Sequence, residues 1–402
     1  MRDVVIVDAC RTAVGSFGGS LKPLKADALA RAVMTAALER TGLEASEVDE
    51  IFLGHCRQSS DCSNTARVAA LQAGIPESVP ASTVMCACAS GMLAVNCGFN
   101  AIRTGQDQAV LAGGTESMSN AIFYLSDARW GVGTGNTQLK DSLTEAQFCS
   151  QPQDIYGRFN MGITAENIAA KMNISREDQD RFALSSQEKA HAAIASGRFK
   201  DEIIPLTVPQ GRKKPDIIFD TDEFPRETSM EALSRLKPAF LPPDGTVTAG
   251  NSSGRNDGAS MLVLMEGQLA REKGLKPLAR IRSVASAGVD PRYMGLGPVP
   301  ATRKALDMAG LTLDDIQLIE LNEAFAAQSL GCIRELGLEN RTDIINVNGG
   351  AIALGHPIGS SGSRILVTLV HELNKRGLRY GLATLCIAGG MGMATIVETI
   401  DE

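Results

Sequence analysis

The stretch "CASGMLAVNCGFNAIRTGQDQAVLAGG", residues 88–114, contains three signals for secondary structure in succession. After the short "CASG" turn, the apolar residues Leu93, Phe99 and Ile102 fall at helical spacing. Gly105 is typical of the end of a helix. The apolar run that follows it, "AVLAGG", is typical of a buried strand. The stretch therefore predicts a turn, a helix and a strand packed together.

A second stretch near the C-terminus repeats this pattern. "SSGS" at residues 360–363 is followed by a helical segment, by Gly377 and by an apolar strand that ends in "AGG" at residues 388–390. A repeat of one supersecondary unit indicates that the chain contains two similar halves.

The N-terminus contributes further elements of the same kind. The continuous β-branched run "VVIVDA", residues 4–9, is typical of a strand buried on both faces of a parallel sheet. "DALARAVMTAALERTG", residues 27–42, predicts a helix with Asp27 as its N-cap and Gly42 at its C-terminal end. Apolar strands and helical segments alternate through much of the chain, which predicts an α/β fold of stacked layers.

The halves are separated by a segment of different character. Residues 121–247 hold the only Trp, scattered Gly, Pro and Asn, and the basic cluster "GRKKP". We interpret this segment as an inserted domain of loops and short helices over one face. The predicted organisation is an N-terminal half, 1–272, interrupted by this insertion, and a C-terminal half, 273–402.

Composition argues against some classes of function, such as nucleic-acid binding and membrane-spanning proteins. The formal net charge of the 402 residues is -7, which argues against nucleic acid as a partner. No apolar run approaches the roughly 20 residues of a membrane span. The nine cysteines are an odd number, and no signal-peptide pattern precedes them, so we expect free thiols and a cytoplasmic location.

Cys88 is a candidate nucleophile. A thiol on the turn that opens a helix faces unpaired N–H groups and the positive end of the helix dipole, so its pKa is expected to fall below the free value of about 8.5. The alternative for a single cysteine is a small buried apolar residue. Residues elsewhere in the chain must decide between these two interpretations.

Three residues far from Cys88 in sequence are candidate partners. His356 lies in the Gly-rich "NVNGGAIALGHPIGSSGSR" just before a predicted helix, where a structural histidine is the alternative. Cys386 ends an apolar strand and is followed by glycines whose bare N–H groups could hold an oxyanion. Asn322 ends another strand, in "LIELNEAFA".

A metal site is the competing explanation for the crowded cysteines. Cys56, Cys62, Cys86 and Cys88 could gather in space, but their spacing is not a usual zinc spacing. We therefore predict no bound metal. Cys86 could instead pack at a subunit contact.

Five motifs in a fixed order carry a family resemblance. The order is "CASGM", "AGNSSGRNDGA", "NEAFA", "NGGAIALGHPIGSSG" and "CIAGGMG". This set resembles the thiolase family, the acetyl-CoA C-acyltransferases, over essentially the whole chain. The resemblance implies the thiolase fold, in which two similar halves stack as five α/β/α/β/α layers with an inserted loop domain.

The resemblance also implies roles for the candidate residues. Cys88 would carry the acyl group, and His356 would activate it. His356, with a water held by Asn322, would form one oxyanion hole, and the N–H groups of Cys88 and Ala388 a second. Cys386 would be the acid/base at the carbon α to the thioester. The implied enzyme is a ping-pong acyltransferase of fatty-acid metabolism and β-oxidation that uses coenzyme A as substrate and binds no cofactor.

Binding residues and assembly are implied in the same way. Ser253 would contact the pantetheine arm of CoA, and Arg226 would lie by its adenine. Met161 and Met294 match methionines that line the family's acyl pocket, and Ala324 and Phe325 are further residues expected to bind the substrate or CoA. "GRKKP" could neutralise phosphates or be a solvated face. The family forms homodimers, often paired into homotetramers through the insertion.

Some residues depart from the family pattern. Ala388 stands where many thiolases have Gly, and Asn160 where many have His. Met85 and Cys86 replace a polar pair, and segment 56–64, with Arg57, is unusual. These changes motivate one alternative, a thiolase for a bulky, aromatic or carboxylated 3-oxoacyl-CoA such as benzoylsuccinyl-CoA. Two others are a condensing enzyme of ketoacyl-synthase type and a silent thiolase-like subunit.

Overall fold

A computed structural model of the chain describes residues 2–211 and 214–400. Its strands are β1 Val4–Thr12, β2 Gly15–Ser16, β3 Glu50–His55, β4 Ala81–Val84, β5 Ala109–Ser117, β6 Phe123–Tyr124, β7 Lys140–Asp141, β8 Ile203–Ile204, β9 Leu206–Val208, β10 Ile217–Phe219, β11 Asn256–Glu266, β12 Ala279–Gly288, β13 Leu318–Leu321, β14 Tyr380–Ile387 and β15 Met391–Glu398. Its helices are α1 Ala26–Thr41, α2 Thr65–Gln72, α3 Ser90–Thr104, α4 Ser142–Phe148, α5 Gln153–Tyr156, α6 Met161–Met172, α7 Arg176–Ala195, α8 Met230–Ser234, α9 Gly267–Glu272, α10 Pro298–Ala309, α11 Ala326–Leu336, α12 Ala351–Leu354 and α13 Ile358–Arg376.

The main sheet shows the predicted internal repeat. Its strand order is β13-β14-β15-β12-β1-β11-β5-β3-β4, with β2 added to β11 and β8 added to β1. Away from the β12–β1 junction each half has a parallel pair, β13 with β14 and β3 with β5. Toward the junction the pairs are antiparallel. The two halves are therefore built alike.

The hydrophobic clusters define five layers. Along β1, Val5 and Val7 pack with α1 and α2, whereas Val4 and Ile6 face the opposite side. That opposite side is a middle cluster around α3 and α13, to which β14 and β15 also contribute. The other face of β14 and β15 packs with α10 and α11. The order helix, sheet, helix, sheet, helix confirms the predicted thiolase-type layering.

Glycine allows the two middle helices to cross closely. A Cβ on Gly91 of α3 would lie 2.5 Å from Ser363 Oγ of α13, and one on Gly362 of α13 would lie 2.6 Å from Met92 N of α3. Such contacts are shorter than any real Cβ tolerates. The start of α3, where Cys88 lies, is therefore held directly against the start of α13, which follows His356.

Three local expectations need correction. β1 is buried on both faces as predicted, but its long partners β11 and β12 are antiparallel rather than parallel. α1 begins at Ala26, so Asp27 lies in its first turn and is not its N-cap. The insertion contains α7, which has 20 residues and is not short. The domain boundaries at 121–247 and 272/273 remain predictions.

Within the described residues no helix is both long enough and apolar enough to span a membrane.

Candidate active site

A tight turn between β4 and α3 presents Cys88. Ala87 adopts a left-handed backbone with φ +45°, which is unusual for a residue with a side chain. Ser90 Oγ accepts from Cys86 N at 2.9 Å and donates to Ala87 O at 2.7 Å, so one hydroxyl closes the turn. β4 ends at Val84, so Cys86 and Cys88 do not lie on one continuous strand.

Two backbone N–H groups near the Cys88 sulfur act to lower its pKa, that of Ala388 and that of Cys88 itself. Ala388 directly follows β14. The left-handed positions are the next two residues, Gly389 at φ +95° and Gly390 at φ +88°. Ala388 is not among the left-handed residues, so an alanine carries no backbone penalty there. The substitution of Gly by Ala leaves the N–H donor in place.

The protonation of Cys88 differs from the sequence expectation. Burial raises its pKa to about 11, although the Ala388 N–H and the Arg57 charge act in the lowering direction. Desolvation penalises the thiolate more than the nearby donors favour it. The prediction of a lowered pKa is therefore wrong, and Cys88 is a neutral thiol at pH 7.

His356 is buried and fixed from two sides. Its Nδ1 lies 2.5 Å from Ser361 Oγ, and its backbone N donates to Asn256 Oδ1 at 2.9 Å. Burial, and then the positive charge of Arg364, lower its pKa to about 3, so the ring is neutral at pH 7. Nε2 has no hydrogen-bond partner in the described chain. It is therefore available to a further hydrogen-bond partner.

Asn322 and Cys386 lie near the C-terminal ends of two neighbouring parallel strands. β13 and β14 run parallel with Leu321 opposite Thr384, and Asn322 N donates to Thr384 O at 3.0 Å. Both polar atoms of the Asn322 side chain are buried and unpartnered in the part of the chain described. Burial, and then the neighbouring Cys88, raise the pKa of Cys386. Cys386 is therefore a neutral thiol close to Cys88.

An apolar cluster adjoins these groups. It contains Cys386, Met294, Ala324 and Phe325, with the partly buried Met161 packed against it. The structure therefore brings the two predicted acyl-pocket methionines together with the predicted binding residues Ala324 and Phe325. Without the family resemblance, each of these residues taken singly would be ordinary core.

The predicted CoA-binding residues lie at its rim. Ser253 N donates to Ala324 O at 3.0 Å. Arg226 is exposed and lies over the Phe224 ring at 5.3 Å. That ring packs so closely on Gly254 that a Cβ there would lie 2.3 Å from it. Arg226 and Ser253 thus share a surface, whereas Arg212 and Lys213 of "GRKKP" lie outside the described residues.

Sequence reasoning missed three supporting residues. Ser361 and Asn256 hold His356, and Glu116 holds two loops, since its carboxylate accepts from Arg57 N at 3.1 Å and Gly359 N at 2.9 Å. Two of them had a usable signal: Ser361 follows the histidine by five residues, and Asn256 lies inside a quoted motif. Glu116 had none, because its partners are remote in sequence.

The structure also bears on the departure at Asn160 and on the possible metal site. Asn160 caps α6 by accepting from Ile163 N at 3.1 Å, a role for which Asn is well suited. Within residues 2–211 and 214–400, no three His, Cys, Asp or Glu side chains are grouped to hold a metal ion.

The chain was compared with known proteins. The family profile "Thiolase, N-terminal domain" matches residues 4–268, and "Thiolase, C-terminal domain" matches residues 275–399. The acetyl-CoA acetyltransferase of Pseudomonas aeruginosa is 54% identical over 395 residues, which cover 98% of each chain.

Solved structures of thiolases are also similar to this chain over its full length. The Bacillus anthracis acetyl-CoA acetyltransferase has a TM-score of 0.95 at 46% identity and covers 100% of this chain and 99% of its own. Human mitochondrial 3-ketoacyl-CoA thiolase in complex with CoA has a TM-score of 0.93 at 42% identity, covering 100% and 98%. With matching profiles over both halves and these full-length similarities, the chain belongs to the thiolase family.

Proposed function

We propose that this chain transfers an acyl group between CoA thioesters by way of a thioester on Cys88. The reaction is 3-oxoacyl-CoA plus CoA giving acyl-CoA plus acetyl-CoA, or the reverse Claisen condensation. The enzyme is an acyltransferase, and CoA is its substrate rather than a bound cofactor. The observation that carries the proposal is the meeting of the Cys88 sulfur with two backbone N–H donors and a second thiol, Cys386, beside two helices whose touching first turns follow Cys88 and His356.

In the first half-reaction the Cys88 sulfur attacks the 3-keto carbon while its proton passes to His356 Nε2. The oxyanion that forms is stabilised by the N–H groups of Cys88 and Ala388. The bond between C2 and C3 then breaks. Asn322, through a water, and His356 face the enolate oxygen, and Cys386 gives its proton to C2. Acetyl-CoA leaves and the acyl group remains on Cys88.

In the second half-reaction the Cys386 thiolate takes the proton of the CoA thiol. The CoA sulfur attacks the acyl carbon, and the Cys88 sulfur leaves and recovers its proton from His356. Protons and electron pairs balance over the cycle. Cys88, Cys386 and His356 are all neutral before substrate binds, so the folded enzyme buries no uncompensated charge among them.

Trapping the intermediate tests this function. The purified protein is incubated with acetyl-CoA labelled in the acetyl group, quenched in acid, digested and mapped by mass spectrometry. We expect the label on Cys88, none in Cys88→Ala, and retained label but no condensation in Cys386→Ala. An adduct on any other residue contradicts the proposal.

The substrate is a short 3-oxoacyl-CoA in this proposal. Relatives that are 51% and 54% identical to this chain are named acetyl-CoA acetyltransferase. They do not favour the alternatives of a thiolase for bulky or carboxylated substrates, a ketoacyl synthase or a silent subunit. A thiolysis panel from acetoacetyl-CoA to longer and branched chains measures the preference. The highest kcat/KM with acetoacetyl-CoA is expected, whereas a preference for long chains would indicate a role in β-oxidation.

Assembly and location also belong to this proposal. β4 lies at the edge of the main sheet, is followed by the exposed Met85, and could pair with a second copy. The insertion exposes Phe123, Trp130 and Leu139, which suits pairing of dimers into a homotetramer. All nine cysteines are free thiols, which suits the reducing cytoplasm. Light scattering of the purified protein measures the copy number.

A further inference from the structure

Two charged residues lie in the middle layer behind the proposed site. Arg364 of α13 and Glu320 of β13 are each 1% exposed. Within the described residues, none of the three guanidinium nitrogens of Arg364 has a hydrogen-bond partner, and Glu320 Oε1 has none either. Buried polar atoms are normally bonded to protein or to ordered water. These four atoms therefore need an explanation.

Strand β13 and helix α13 carry Glu320 and Arg364 close in sequence to Asn322 and to Ser361, which contacts His356. Alternate residues of a strand share one face, so Glu320 lies on the same face of β13 as Leu318, which packs in the middle cluster, and Asn322 follows Glu320 by two residues, just past the end of the strand. On α13, Arg364 follows Ser361 by one helical turn, and Ser361 holds His356. Both Asn322 side-chain atoms are unpartnered too.

Ordered water explains the unpartnered atoms. Glu320 and Arg364 influence each other's charge, but no ion pair within 4.0 Å joins them in the described chain. Polar groups that face each other across a wider gap are commonly bridged by water, and a buried water needs two to four polar partners. Glu320, Arg364 and Asn322 together supply enough of them.

Charge balance indicates the state of Glu320. Nearby, Arg11 is paired with both Glu202 and Asp222, at 2.6 and 2.7 Å. These three side chains carry one net negative charge, which the positive Arg364 neutralises. An ionised Glu320 would add a negative charge to these four side chains, with Glu323 and Glu372 also nearby, whereas a protonated Glu320 adds none.

The titration of Glu320 agrees with this count. Burial raises its pKa to about 8. The charges that face it are Arg364, which acts in the lowering direction, and Glu202, Glu323 and Glu372, which act in the raising direction. A carboxyl that is protonated at pH 7 can both donate and accept a hydrogen bond.

We propose that protonated Glu320 and Arg364 hold a chain of ordered water that ends at Asn322 and positions its side chain for reaction. Both are positioning residues, and the inference rests on the proposed function. The pair gives the proposed enzyme an interior support for the water at Asn322. Ionisation of Glu320 would remove a donor and add a negative charge beside a site where an enolate forms.

The ratio of kcat for Glu320→Gln to kcat for wild type, measured at each pH, isolates the effect of Glu320 ionisation. Glu320→Gln keeps a neutral donor and acceptor at every pH. We expect its kcat for thiolysis of acetoacetyl-CoA to stay within about twofold of wild type at pH 6.5 and to exceed wild type several-fold at pH 9.5. The titration of the CoA thiol cancels in the ratio. Glu320→Leu and Arg364→Met should lower kcat about tenfold or more with KM nearly unchanged.

Glu372→Gln is the matched control, because it makes the same change at another buried carboxyl, on the helix that carries Arg364. Glu372 is bonded to Arg198 and Asn348, and its pKa is lowered. Its charge helps to raise the pKa of Glu320, so Glu372→Gln leaves Glu320 titratable and should not exceed wild type at pH 9.5. A flat ratio for Glu320→Gln overturns the proposal, as does an unchanged kcat in a folded Glu320→Leu. If Glu320→Leu does not fold, the Gln ratio still decides. Labelling of Cys88 separately reports on the proposed function.

Discussion

Replacing Ser361 by alanine tests how the His356 ring is held. Ser361 lies in the first turn of α13, and its Oγ contacts His356 Nδ1 at 2.5 Å and donates to Pro357 O at 3.0 Å. Both residues are buried, so water does not readily replace the hydroxyl. Ser361→Ala leaves one ring nitrogen without a partner and lets the imidazole turn away from the site.

The size of the effect follows from the lost hydrogen bond. A buried polar group that loses its partner costs about 1–3 kcal/mol. If the penalty falls on the reactive orientation of the ring, kcat drops by about 5- to 150-fold, since 1.4 kcal/mol corresponds to a factor of about ten. KM should change little, because Ser361 is fully buried and touches His356 rather than the rim.

The assay is steady-state thiolysis of acetoacetyl-CoA, with thermal unfolding to check the fold. Ser360→Ala is the matched control: Ser360 is equally buried in the same turn, but its Oγ contacts Ser260 Oγ at 2.8 Å and not the histidine. We expect only Ser361→Ala to lose kcat. If both variants keep kcat within about twofold of wild type, Ser361 does not hold the ring, and the reasoning is refuted.

Further substitutions test the backbone and charges nearby. Ala388→Gly should keep kcat within about twofold in steady-state kinetics because the N–H remains, whereas Ala388→Pro removes the donor and should lower kcat about 10²- to 10³-fold. Gly390→Ala places a Cβ 2.4 Å from Val289 O at φ +88°, so urea unfolding should show a loss of about 1–3 kcal/mol; wild-type stability would contradict the clash. Burial raises the pKa of Asp257 to about 6, so the folded chain keeps a proton that the unfolded chain releases near pH 4. The stabilisation from this proton is present below about pH 4 and lost as the pH rises through about 6. In urea titrations, the free energy of unfolding of Asp257→Asn should therefore change less than that of wild type between about pH 5 and 7.5.

Much of the fold could be predicted because its signals are local. The repeated turn, helix and strand around Cys88 and after Ser360 predicted two similar halves, which the strand order contains. The direction of β1 could not be predicted in this way. Val4–Thr12 is buried on both faces, which is typical of parallel sheets, but its neighbours β11 and β12 come from remote parts of the chain and run antiparallel to it.

The candidate site could likewise be predicted only in part. The motifs singled out Cys88, His356, Asn322 and Cys386 as candidates, and these residues lie at two neighbouring parallel strand ends and next to the starts of two touching helices. The supports of the site were harder to find. Glu116 joins two loops that are far apart in sequence, and Glu320 and Arg364 lie on different elements, so no local pattern marks them.

By itself, the sequence determined the candidate reactive groups, most helix ends and the turns, because each depends on residues within a few positions. Only the tertiary structure decided the protonation of those groups. The start of a helix favours a thiolate, yet burial by residues from both halves raises the pKa of Cys88 to about 11 and lowers that of His356 to about 3. The reason is physical: desolvation depends on everything packed around a group, whereas a motif records only its neighbours along the chain.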